Sequence, residues 1–320
     1  MDTATNAGAS EMRLRVALLL ALVLVGACGG NHVAPSPPSA ISELEQLGFV
    51  REGRSLLASG ARAGASEISL GEPLLVGMYE VTRDEFRAFL AVQEAELDPL
   101  IRRYFEPGSR VDGSLPASFV TREEAALYAN WAGMRLLTSQ EWLFCALSPW
   151  ALAYPWADSW QQGRANTLEL GLAPYAPTSV GTFEGGRTAT HLYDMLGNVW
   201  EWVSDELAQG SEQPTNAAAF GGSYLYYKRE MHLQGTFFAQ SLPPGARFED
   251  LGFRICAPAR AWLNAHAAEL GRNDSDRARL WAVGRRFGPS AVPLLTELSA
   301  SVPAGSARRA LEALLGGARG

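Results

Sequence analysis

Residues 191–205 read His191-Leu192-Tyr193-Asp194-Met195-Leu196-Gly197-Asn198-Val199-Trp200-Glu201-Trp202-Val203-Ser204-Asp205. A Gly-Asn turn precedes two tryptophans that flank a glutamate. In an extended segment Trp200 and Trp202 share one face and Glu201 takes the other. Large aromatics favour burial, so Glu201 is drawn inward with them, and a buried carboxylate needs a partner. Two partners suit it. One is an arginine, with the turn simply leading into a Trp-rich core strand. The other is a cation: Asp194, Glu201 and the carbonyls of Gly197 and Val199 form a set of hard oxygens of the kind Ca²⁺ takes.

Upstream of this stretch the sequence marks three helix starts by the same local device, a Thr followed three residues later by Glu. Thr82 with Glu85 opens a helix over Arg83–Gln93. Thr121 with Glu124 opens a second, ended by Gly133, and Thr138 with Glu141 opens a third that carries Trp142 and Cys145. Ser55–Leu75 reads as strand and turn, Met78–Thr82 as a strand end, and Asp98–Ser114 as irregular. A long stretch from Tyr154 to Arg187 has little periodicity, which in a compact domain points to function or to a stabilising ligand. Downstream, Leu251–Cys256 reads as a closing strand. From Ala259 the composition shifts to Ala, Leu and Arg, with helices over 259–284 and 290–316 separated by Gly288-Pro289. This pair resembles one HEAT-like repeat. A helical cap on the main domain is favoured, because a lone repeat cannot bury a core.

The chain has 320 residues, 47% hydrophobic, and a formal net charge of −7. That length supports one large domain and an appendage, and the acidic balance argues against nucleic acid as a partner. At the N-terminus, Met12-Arg13-Leu14-Arg15 precedes the apolar run Val16–Val25, too short to span a bilayer and suited to a signal peptide over residues 1–27, with Met12 a second candidate start. Val25-Gly26-Ala27-Cys28 resembles a bacterial lipobox, which makes Cys28 the expected lipidation site. Gly29 after it points to the outer membrane, so the expected location is the bacterial cell envelope with a lipid anchor in the membrane. Residues 28–43, with Pro35, Pro37 and Pro38, read as a tether. The expected globular domain is 44–258 and the helical extension 259–320.

Further motifs carry a resemblance. Tyr79-Glu80-Val81-Thr82 with Glu85-Phe86, the run from Ala125 through Trp131-Ala132-Gly133 to Arg135-Leu136-Leu137-Thr138 and Glu141-Trp142, Tyr154-Pro155-Trp156, Gly197-Asn198-Val199-Trp200-Glu201-Trp202, Gly221-Gly222-Ser223-Tyr224 and Gly252-Phe253-Arg254 occur in order. Together they resemble the formylglycine-generating enzyme (sulfatase-modifying factor) family. The departures are Leu137, where the family has Pro, and Ala157, where it has Gly. The resemblance implies an α+β fold of low regularity, C-type-lectin-like, with the small α-helical extension added.

The family's activity does not follow from its fold. In active members Gly-Gly-Ser-Tyr is followed by two cysteines that bind copper and oxidise a sulfatase cysteine to formylglycine. Here those catalytic positions are Tyr226 and Met231, with Ser223 retained. A phenol does not replace a thiolate for Cu(I), and one thioether does not make a two-sulfur site. Copper is therefore not expected. Iron-dependent branches use His ligands, and the four His of this chain, His32, His191, His232 and His266, lie far apart. The resemblance also maps Asp194, Gly197, Val199 and Glu201 onto a family Ca²⁺ site, so a structural Ca²⁺ is expected there. A second family site begins at Asn166 and Thr167, but its downstream Asp is not evident. Some family members join two regions by a disulfide that here implies Cys145–Cys256, although Cys256 stands one residue beyond the family position. These features imply an envelope lipoprotein whose catalytically inactive domain binds a protein or peptide, with Tyr224, Tyr226 and Tyr227 as the candidate surface. The alternatives are a copper oxidase or related oxidoreductase with an altered site, and a structural part of an envelope machine.

Overall fold

The structure, a computed structural model, describes residues 39–57, 66–92, 97–106, 112–147, 153–171, 174–206, 216–227 and 239–320. The expected signal peptide, Cys28, most of the tether and Met231 lie outside the described residues. No helix among the described residues is long and apolar enough to cross a membrane.

Two sheets separate three cores. The first sheet has the order β1-β4-β10-β5, from Leu47–Val50, Leu74–Gly77, Ile255–Pro258 and Arg135–Leu136. The second has the order β8-β7-β6-β9, from Ala239–Leu242, Ala217–Phe220, Trp200–Glu206 and Leu251–Phe253. A separate hairpin pairs β2 (Gly53–Leu57) with β3 (Ser66–Leu70). Strand alternation distributes side chains between the cores. Leu47, Phe49 and Leu75 point to the outer core shared with the C-terminal helices, whereas Leu74, Val76 and Cys256 point to the central core. Across the second sheet, Ala218, Phe220 and Val203 face the central core, and Trp200, Trp202, Ala217 and Ala219 face the third. Strand β6 pairs antiparallel with β7 and parallel with β9.

The helices close these cores. The third core is covered by α2 (Arg83–Val92), whose Phe86, Phe89 and Leu90 are buried, and by α4 (Arg122–Trp131). The central core receives α5 (Ser139–Leu147), which buries Trp142, Phe144 and Cys145. Each buried side chain of this size contributes about 1.5–3 kcal/mol through the area removed from water. All three Thr–Glu capping boxes form. Thr82 N donates to Glu85 at 2.8 Å, Thr121 N to Glu124 at 2.9 Å, and Thr138 N to Glu141 at 2.8 Å.

Four differences from the sequence reading have local causes. Residues 40–43, read as tether, belong to a short helix α1 (Ala40–Leu44), capped by Ser39 and burying Ile41 and Leu44 against the C-terminal helices. Residues 98–104, read as irregular, form α3 (Pro99–Tyr104): Asp98 caps it, and Pro99 occupies the first turn, where no backbone N–H is needed. The two C-terminal helices are four: α6 (Ala259–Leu270), α7 (Arg277–Phe287), α8 (Val292–Ser301) and α9 (Ser306–Arg319), broken again at Gly271 and around Pro303. The closing strand is two strands in different sheets, with Arg254 at the corner between β9 and β10.

Candidate functional site

Glu201 lies on the central-core face of β6, opposite Trp200 and Trp202, and is 1% exposed. Its carboxylate accepts from Trp142 Nε1 at 2.7 Å and from Arg254 Nη2 at 2.7 Å, with Arg254 Nε at 3.1 and 3.2 Å from the two oxygens. Arg254 is itself fully buried and donates further to the carbonyls of Gly77 at 2.8 Å and Tyr193 at 2.7 Å. The corner residue thus ties both sheets to the 191–198 loop. Burial opposes the guanidinium charge, yet Glu201 more than offsets it and holds the Arg254 pKa above its ordinary value.

The 194–198 turn is built on left-handed backbone. Asp194 has φ 55°, Gly197 φ 80° and Asn198 φ 56°. At Gly197 a Cβ would stand 2.4 Å from the Asn166 carbonyl oxygen, so only glycine fits. Asn198 is fully buried and uses its whole amide. Its Nδ2 donates to both oxygens of Glu80 at 3.2 and 3.1 Å, and its Oδ1 accepts from Thr178 N at 2.9 Å and Asn166 Nδ2 at 3.2 Å. Asn166 and Asn198 therefore pin the irregular region to the turn. Asp194 Oδ2 accepts from Gly181 N at 2.7 Å. Burial, with the nearby Glu201, pushes Asp194 up to about 6 and Glu80 well above the usual carboxylate range.

The expected Ca²⁺ set of Asp194, Gly197, Val199 and Glu201 lies on this turn, with both carboxylates buried. The Glu201 oxygens already accept from a guanidinium and an indole N–H. Among the described residues no group of three or more His, Cys, Asp or Glu is arranged to hold a metal ion. The alternative partner named from the sequence, an arginine, is the one found.

The disulfide is corrected. Cys145 and Cys256 share the central core but are free buried thiols. The Cys256 thiol lies 3.2 Å from Arg135 Nη1, and burial pushes it up to about 12. Burial also holds the Cys145 thiol well above its ordinary value. Both behave as small apolar residues.

The segment that corresponds to the family's active site lies against Trp200. Gly221, at φ 102°, approaches the Trp142 ring so closely that a Cβ would meet it at 3.2 Å. Ser223 is buried and donates to Asp250 Oδ2 at 2.6 Å. Tyr226 packs edge-on against Trp200, with ring centroids 5.1 Å apart, and its hydroxyl accepts from Gln240 Nε2 at 2.8 Å. Among the described residues the donors here, Ser223 and Tyr226, are hard, hydrogen-bonded oxygens, a poor match for Cu(I). The three tyrosines do not form one surface. Tyr224 is buried, Tyr226 is half-buried, and of the three only Tyr227 is exposed, at 45%. The turn at Tyr224–Leu225 points Leu225 outward instead, also 45% exposed. Burial pushes the Tyr224 phenol up to about 12.

Several participants were not read from the sequence as site residues: Glu80, Trp142, Asn198, Gln240 and Asp250. Glu80, Trp142 and Asn198 sit inside quoted motifs, which was the available signal. Gln240 and Asp250 carried none.

A sequence profile described as "Sulfatase-modifying factor enzyme 1-like domain" matches residues 35–259. The chain is 32% identical over 166 residues to the bovine (Bos taurus) "Inactive C-alpha-formylglycine-generating enzyme 2", covering 48% of this chain and 54% of that protein. It is 33% identical over 181 residues to the "Formylglycine-generating enzyme" of Streptomyces coelicolor, covering 48% and 56%. Against the "Hercynine oxygenase" of Mycolicibacterium smegmatis it is 41% identical over 101 residues, covering 30% and 23%. The chain thus spans about a quarter to just over half the length of these relatives. Among solved structures, PvdO from Pseudomonas aeruginosa aligns with a TM-score of 0.53 at 19% identity, covering 65% of this chain and 92% of that one. CarF aligns with a TM-score of 0.54 at 20% identity, covering 70% and 99%. At these identities the likeness is one of fold.

Proposed function

The chain belongs to the sulfatase-modifying factor family over residues 35–259, and from that premise we propose that it is a catalytically inactive member that acts by binding a protein or peptide. It is held at the bacterial cell envelope through lipid on Cys28. One observation carries the reading. The resemblance puts Tyr226 at the position of the first copper-binding cysteine, a phenol fixed by Gln240 and packed on Trp200, with no soft ligand beside it among the described residues. The similarity to a relative named as inactive supports the same view. Leu225 and Tyr227, exposed beside this turn, are the side chains a partner would meet, and apolar and tyrosine side chains of this kind suit interfaces.

The test is direct. The purified chain, supplied with copper, is incubated with a Cys-x-Pro-x-Arg peptide, and aldehyde is measured. No aldehyde is expected, and turnover at even a modest rate would overturn the proposal. The anchor is tested separately: Cys28→Ser should release the protein from membranes or block processing, and a processed variant that stays membrane-bound at the wild-type level counts against lipidation.

A further inference from the structure

The C-terminal helices differ in charge from the rest of the chain. Residues 259–320 carry nine Arg and no Lys against five Asp and Glu, within a chain of net charge −7. Their exposed side is also unusual in shape. On α7, Arg277, Trp281 and Arg285 follow one another at four-residue spacing, so they stand in one row. All three are exposed, Trp281 by 40%, and Arg285 Cζ lies 5.7 Å from the Trp281 ring centroid. No ion pair among the described residues involves Arg277 or Arg285; the carboxylates at this end, Asp276 and Asp274, pair with Arg279 and Arg309.

Helix α9 runs beside α7 at glycine distance. A Cβ on Gly317 would stand 1.9 Å from the Trp281 carbonyl oxygen, and one on Gly284 would stand 2.0 Å from that of Leu314. The two helices therefore present a low surface, with Gly316 next to the indole and Arg309, Glu312 and Arg319 exposed along α9. An indole standing on a flat, arginine-rich helical face is the arrangement that seats in a headgroup layer, with the ring at the interface and the guanidinium groups on lipid phosphates.

Helix α1 docks on this same module. Ala40 N donates to Glu269 Oε1 at 3.0 Å, and Arg279 donates to both oxygens of Glu45, at 2.7 and 2.8 Å. From Cys28 to Ser39 the chain can reach at most about 40 Å, which lets a lipid on Cys28 and this module meet the same bilayer. This last argument rests on the anchor reading; the charge and shape of the face do not.

We propose that the α7–α9 face bearing Arg277, Trp281 and Arg285 binds an anionic phospholipid surface, giving the protein a second membrane contact and a fixed orientation. The test uses the processed chain, residues 28–320 with Cys28→Ser, so that neither the lipid nor the apolar run Val16–Val25 contributes, with Gly316→Cys labelled by an environment-sensitive fluorophore. Cys145 and Cys256 are buried and escape labelling in the folded state. Phosphatidylglycerol vesicles should shift the emission to the blue, high salt should reverse the shift, and phosphatidylcholine vesicles should leave it unchanged. Adding Arg277→Gln and Arg285→Gln should raise the lipid concentration at half-shift by about 30-fold, from the usual gain per arginine near an anionic surface. Because both side chains are exposed, the melting temperature should not move. An emission spectrum unchanged on phosphatidylglycerol, or the same half-shift concentration with and without the two arginines, would overturn the proposal. Either result leaves the Cys28 anchor to be judged by its own release experiment.

Discussion

Trp200 has a neighbour on each side, and they answer to different demands. Glu201, next in sequence, is buried and ion-paired with Arg254, and the pair joins two sheets and the 191–198 loop. Tyr226, edge-on to the same indole, makes one hydrogen bond to Gln240 and borders the exposed Leu225 and Tyr227. The residues that carry the family's frame are present on the first side. On the second side, the residue type that would carry its copper chemistry is not. The frame is a matter of charge compensation in a closed core and tolerates little. The turn is set by backbone hydrogen bonds and glycines, so the side chain at 226 can change its chemistry without disturbing the fold.

The comparison breaks most visibly at Arg254. Arg254→Met leaves Glu201 as an unpaired buried charge and should cost about 3–5 kcal/mol, read as a shift of the urea midpoint at unchanged slope. A loss under 1 kcal/mol would mean that the frame is not held there. If the Arg254 pairing is all that Glu201 needs, a chelator leaves the wild-type melting curve in place; a Ca²⁺-dependent rise in melting temperature would favour the cation.

A smaller effect is expected from pH. Burial first, and Glu201 second, push Asp194 from 3.8 up to about 6. Between those values the folded chain holds a proton that the unfolded chain releases. Stability should therefore rise as pH falls from about 6 to 4, and be lost again as pH rises through 6. Glu80, raised in the same direction, adds to the slope. Asp194→Asn should flatten the profile over that window; an unaltered profile would exclude Asp194 as its source.

The smallest change belongs to the turn. Tyr226→Phe removes only the hydroxyl that accepts from Gln240 and keeps the ring on Trp200. It should cost about 0.5–1.5 kcal/mol, well below Arg254→Met. A loss as large as that of Arg254→Met would mean that the turn belongs to the frame, and the contrast would fail.

What the sequence made legible follows the reach of each interaction. The three capping boxes span three residues each, and all form. The inward turn of Glu201 follows from strand alternation alone. Its partner does not, because Arg254 lies 53 residues away and only a fold can bring it there; the sequence offered an arginine or a cation with equal chemistry. The Cys145–Cys256 bond rested on family likeness, and the two thiols share a core without bonding. The tyrosine surface failed for a local reason, the turn at Tyr224–Leu225, which turns one tyrosine in and a leucine out. The break in the closing strand at Arg254 was also invisible locally, since β-forming residues flank it on both sides.

The central claim is that the frame persists while the thiolate pair is replaced by Tyr226 and Met231, and Cu(I) binding tests it most directly. Wild type and the Tyr226→Cys/Met231→Cys double variant are titrated with Cu(I) under reducing, anaerobic conditions against a competing chelator. The account predicts that the double variant takes up one Cu(I) and that wild type takes up none. Wild-type binding of Cu(I) as tight as that of the double variant would contradict it.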